Sequence, residues 1–109
     1  MSDNLQYSDI KFRIGLDENK IPKKIEWVAE DSGMEGMDEA KAIMLSIFDP
    51  KSMDTLRIDL WTNEMKVDEM KRFFHQTLLS MSDTLERSTN EKELADDLRN
   101  FCKTMATKL

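Results

Sequence analysis

Apolar residues recur at every second position along the first half of the chain and at every third or fourth position along the second. Ile10, Phe12, Ile14 and Leu16 alternate with Lys11 and Arg13, the mark of a half-buried strand. Asp17–Lys20 reads as a turn. After Pro22, the segment Lys24–Glu30 sets Ile25, Trp27 and Ala29 against Lys24, Glu26 and Glu30, so a second strand returns beside the first as a hairpin. Asp31–Asp38 holds two of the three glycines and is a loop. Ala40–Phe48 is nearly continuous in apolar character, as expected of a strand that is central or covered on both faces. Asp49-Pro50-Lys51-Ser52 is a turn, and beyond it Leu56, Ile58 and Leu60 alternate with Arg57, Asp59 and Trp61, giving a second hairpin.

The period then changes from two to about 3.6, the sign of a strand giving way to a helix. The first helix is predicted from about Val67 to Arg87, with Val67, Met70, Phe73, Phe74, Thr77, Leu78, Met81 and Leu85 as its apolar stripe and Phe74 at the centre. Ser88-Thr89-Asn90 makes the break. Asn90 followed by Glu93 has the spacing of a capping box, and Leu94, Leu98, Phe101 and Met105 line a second helix. The pattern predicts an α+β fold: a four-stranded antiparallel sheet of two hairpins, followed by two C-terminal α-helices packed on one face. Residues 1–8 are expected to fray and 9–109 to form a single domain.

Two helices cover one sheet face, so the other is the place to look for function. Alternation assigns it Lys11, Arg13, Glu26, Val28, Arg57, Asp59 and Trp61, with either Met44 and Phe48 or Ile43, Leu45 and Ile47 from the third strand. The candidate interface is Arg57, Asp59, Trp61, Val28 and Met44. A large aromatic flanked by opposite charges is the composition of an interface anchor with a polar rim. Trp27 is assigned to the core.

Charge and chemistry narrow the function classes further. With 22 acids against 16 bases the formal net charge is −6, which argues against nucleic acid or anionic lipid as partner. Cys102 is the sole cysteine, so an internal disulfide is impossible and a tetrahedral Cys/His metal site lacks ligands. The N-terminus has no leader pattern and no apolar run approaches about 18 residues, so a cytoplasmic protein without direct membrane insertion is expected. His75 is the only histidine, and neither a serine nor a cysteine nucleophile stands beside it in a recognisable motif. Asp17-Glu18-Asn19 lacks the alternating ligands and closing glutamate of a calcium loop, and the glycines form no phosphate loop. No catalytic residue, cofactor or metal is expected.

Several ordered blocks of this sequence resemble the gliding motility protein GldC family. They include Gly15-Leu16-Asp17-Glu18-Asn19, Glu26-Trp27, Glu39-Ala40-Lys41-Ala42-Ile43-Met44-Leu45-Ser46, Leu56-Arg57-Ile58-Asp59-Leu60-Trp61-Thr62, Val67-Asp68-Glu69-Met70-Lys71, Phe73-Phe74-His75-Gln76-Thr77-Leu78 and Phe101-Cys102. Lys66 departs from the family pattern, in which proline precedes the first helix; this touches only the helix boundary. The resemblance implies a non-enzymatic accessory role in bacterial gliding. On that basis the chain is expected to be a cytoplasmic protein-interaction module, as a homodimer, contacting a protein of the gliding or associated secretion machinery. The alternative is a small chaperone-like protein that shields a secreted or membrane motility component, in keeping with the strand-then-helix order and the nine methionines.

Overall fold

Apolar side chains meet along one face of each hairpin, Phe12 with Trp27 and Ile14 with Ile25 in the first, Leu45 with Ile58 and Ile47 with Leu56 in the second. The computed structural model describes residues 4–109 and divides into two units, Met1–Met65 and Lys66–Leu109. Of the expected frayed segment, residues 1–3 lie outside the described residues.

In the first unit, β1 (Ile10–Leu16) and β2 (Pro22–Ala29) form the first antiparallel hairpin, with Ile10 opposite Ala29, Phe12 opposite Trp27 and Ile14 opposite Ile25. Its turn is held by Asp17, whose Oδ1 accepts the N–H groups of Asn19 at 2.8 Å and Ile21 at 3.0 Å. β4 (Ala42–Asp49) and β5 (Asp54–Trp61) form the second, closed by Asp49, whose carboxylate accepts Ser52 N–H at 3.1 Å while its carbonyl accepts Met53 N–H at 2.9 Å.

The expected single four-stranded sheet is corrected to two, one in which a short third strand joins β1 and β2 beside β2, and one of two strands, β4-β5. The predicted third strand is split at Lys41. Its first part, β3 (Asp38–Ala40), pairs with β2, Ile25 standing opposite Ala40. From Ala42 onward the chain pairs only with β5: the backbone bends at Lys41 and leaves Pro22–Lys24, which the β2–β3 register would have set opposite Lys41–Ile43. Thr62, only 4% exposed, ties the break by donating both its N–H (2.9 Å) and its Oγ1 (3.4 Å) to the carbonyl of Lys41. Ile25 is fully buried, whereas Trp27, assigned to the core, is half-buried.

The second unit is a helical hairpin of α1 (Val67–Thr89) and α2 (Lys92–Ala106). Glu69 Oε1 accepts Lys66 N–H at 3.0 Å, so the first turn is capped without the proline of the family pattern. Asn90 does not start α2 as a capping box; it ends α1 in the left-handed region at φ 60°, its N–H donating to Glu86 O at 2.8 Å. Asparagine tolerates that conformation better than most residues, which is why one residue type serves at either helix end. The seam between the helices is built on small buried side chains, Ser82, Ala95 and Cys102, and Ser82 Oγ donates to Leu79 O at 2.5 Å. Phe74, expected at the centre of the core stripe, is instead 45% exposed.

Candidate interaction surface

The register of β4 and β5 decides which third-strand residues share a face with the candidate interface. Ala42 stands opposite Trp61, Met44 opposite Asp59, Ser46 opposite Arg57 and Phe48 opposite Thr55. Because side chains alternate, Met44, Ser46 and Phe48 lie with Arg57, Asp59 and Trp61, while Ile43, Leu45 and Ile47 lie with Leu56, Ile58 and Leu60. Four of the five candidate residues therefore share one face: Arg57, Asp59, Trp61 and Met44. Val28 does not join that ladder; it sits in the three-stranded sheet opposite Lys11.

Charge organises the middle of this face and aromatic surface its two ends. Arg57 Nη2 donates to Asp59 Oδ1 at 2.6 Å and Nε to Oδ2 at 3.3 Å, a fork that uses both carboxylate oxygens. Arg57 Nη1 also donates to Ser46 Oγ across the strand pair. The hydrogen bond that the guanidinium donates to Asp59 is the main cause that raises its pKa above the ordinary value. Trp61 is 56% exposed at one end and Phe48 59% at the other, with Met44 half-buried between them. Trp61 and Asp59 also line a shallow cleft of about 250 Å³ with Ile21 and Pro22. Phe48 and Ser46 complete the face; only the cross-strand register reveals their place.

The opposite face of the same ladder is apolar, and Ile47, Leu56 and Ile58 are each about half exposed. The chemistry-bearing residues elsewhere are engaged structurally. His75 Nε2 donates to the carbonyl of Cys102 at 3.1 Å, and Cys102 is buried. Arg99 gathers Asp83 and Glu86 across the helical hairpin and Asp96 on its own helix, at 2.8 to 2.9 Å. The Asp17 carboxylate is spent on its own turn, and the backbone N–H of Ile21 is the main cause of its lowered pKa. Among the described residues, no three histidine, cysteine or acidic side chains cluster as a metal site, and no helix is long and apolar enough to cross a membrane.

The model of the gliding motility-associated GldC-like family matches residues 22–109. The chain belongs to the GldC-like family. The match takes in β2 to α2 and thus every candidate surface residue; the resembling blocks before Pro22 lie outside it. Neither a curated protein nor a solved structure matches the chain.

Proposed function

We propose that this GldC-like protein is a non-enzymatic, cytoplasmic accessory factor of gliding that works by binding a protein of the gliding or associated secretion machinery through the Arg57/Asp59/Trp61 face. The observation that carries the reading is the exposed face itself: Trp61 and Phe48 flank a forked ion pair on a ladder where alternation keeps them off the apolar side. Aromatic anchors around a polar centre are the composition of protein interfaces. The hydrogen bond from His75 Nε2 to the carbonyl of Cys102 gives the one histidine a structural role in joining α1 to α2, which supports the non-enzymatic part.

In gliding cells lacking the protein, a Trp61→Ala copy should fail to retain the partner on copurification and should restore movement poorly, while His75→Ala should restore it fully. Loss of rescue by a stably folded His75→Ala protein would overturn the non-enzymatic reading. Undiminished retention by Trp61→Ala would move the interface elsewhere.

A second reading has its own support. Between α1 and α2 an open groove of about 700 Å³ is lined by Phe73, Thr77, Met81, Leu85 and Leu98, the kind of adaptable apolar trough a chaperone-like protein would lay against an unfolded segment. Copurification separates the two readings: a chaperone traps many clients, a specific module one or two folded partners.

A further inference from the structure

We propose that the outer edge of β5 pairs with the same edge of a second copy, antiparallel about a twofold axis at Ile58, to make a continuous sheet in the order β4-β5-β5-β4. The inference is independent of the motility partner, because it concerns the backbone edge of the ladder rather than its face.

The hydrogen-bond pattern shows which backbone groups are free. Thr62 N–H donates to Lys41 O, and the same register runs on through Ala42 and Trp61, so Lys41 and Thr62 stand as a hydrogen-bonded pair. In an antiparallel ladder hydrogen-bonded and non-hydrogen-bonded pairs alternate. Leu60, Ile58 and Leu56 therefore bond to β4, and the N–H and C=O groups of Thr55, Arg57, Asp59 and Trp61 point to the open side. β5 has β4 as its only ladder partner among the described residues. Arg57 and Asp59 are the main protection of this edge, for it is eight residues long, carries neither proline nor lysine, and pairs without a bulge. A lone two-stranded ladder is marginal in water, and Leu56 and Ile58 on its apolar side are 57% and 49% exposed.

Charge selects both the occupant and the register. A closed homodimer uses the same patch twice, which for one strand edge means antiparallel self-pairing. Outward-pointing groups must meet outward-pointing groups, so of the well-overlapped alignments three remain. Centring on Arg57 sets two guanidinium groups opposite each other, and centring on Asp59 does the same to two carboxylates. Like charges directly opposite are destabilising. Centring on Ile58 instead places Arg57 opposite the partner's Asp59 and Asp59 opposite the partner's Arg57. Thr55 then meets Trp61, and about eight backbone hydrogen bonds form, two for each outward pair. Leu56, Ile58 and Leu60 meet Leu60, Ile58 and Leu56 on the apolar side. The Arg57–Asp59 pair within one strand becomes half of a four-charge cluster across two. The edge of β4 offers no such choice, since its outward groups belong to Ala42, Met44, Ser46 and Phe48, with no charge to fix a register.

Sedimentation equilibrium of the full chain tests this. The wild type should reach twice the 12.8 kDa chain mass. Arg57→Asp and Asp59→Arg should each weaken self-association by roughly tenfold or more, because each sets like charges opposite at both symmetric positions. An equimolar mixture of the two variants should recover the dimer, as every cross-strand pair is then of opposite charge although neither chain regains its internal pair. A monomeric wild type, undiminished dimers of the single variants, or a mixture that stays monomeric would each overturn the proposal. Should the charge variants fail to fold, Ile58→Cys in a Cys102→Ala background keeps it testable. Position 58 faces itself at about 4.5 Å between Cα atoms, within disulfide reach, so oxidation should crosslink the chain to itself. Failure of a folded Ile58→Cys variant to crosslink, or crosslinking of Asp54→Cys as readily as of Ile58→Cys, would contradict the register. These readouts use purified protein alone, so their failure leaves partner retention in cells to be judged separately.

Discussion

Ile25 lies fully out of solvent at the middle of β2, flanked across its two ladders by Ile14 and Ala40, and no other large aliphatic side chain among the described residues is as deeply placed. Ile25→Ala should cost about 2–5 kcal/mol, the range for truncating a buried aliphatic side chain. Phe74→Ala should cost less, under about 2 kcal/mol, since nearly half of Phe74 remains in water and only the covered part of its transfer energy is lost. Urea unfolding of the two variants checks the order; a larger loss for Phe74→Ala would mean that the α1 ring is the deeper of the two. Trp61→Ala belongs at the same scale: with 56% of the side chain exposed, it should lower retention of the partner far more than it lowers stability.

The helical hairpin is held at its seam by a cluster in which one arginine serves three acids, and this makes it acid-sensitive. Asp96 is lowered from the ordinary value of 3.8, first by its hydrogen bond from Lys92 and then by that from Arg99. A carboxylate with a lowered folded-state pKa contributes stability that is fully present above its unfolded value and is lost as pH falls through the folded one. Helical ellipticity should therefore decline below about pH 4, and Asp96→Asn should make that decline shallower while lowering stability at neutral pH. Equal acid midpoints for the two proteins would contradict this role. The lowered pKa of Asp49, caused chiefly by the hydroxyl of Ser52, adds a loss of the same sign in the β4–β5 turn.

The elements themselves were legible in sequence because each has a clear period: both hairpins, both helices and the Arg57/Asp59/Trp61 face follow from alternation or from the 3.6-residue repeat. What stayed hidden depended on pairing. The third strand splits at a bend at Lys41, beyond which it pairs with β5 and no longer with β2, and no single segment records where its neighbour changes. Whether Met44 or Ile43 joins Trp61 was equally open until the turn from Asp49 to Asp54 fixed the register. Asn90 misled because an Asn three residues before Glu fits an N-cap, although the same residue accepts the left-handed conformation that ends α1.

For the molecule as a whole, the central claim is that this GldC-like protein acts by presenting the β4–β5 face to one protein of the motility machinery. Self-pairing along β5 would set two such faces side by side, so that a single assembly offers Trp61 twice. The most direct measurement is photocrosslinking in gliding cells with a photoreactive residue in place of Trp61 and, separately, in place of Met81 in the α1–α2 groove. The probe at 61 should label one or two discrete proteins and the probe at 81 should not. Labelling from 81 alone, or a broad spread of clients from either position, would contradict it and favour the chaperone-like alternative.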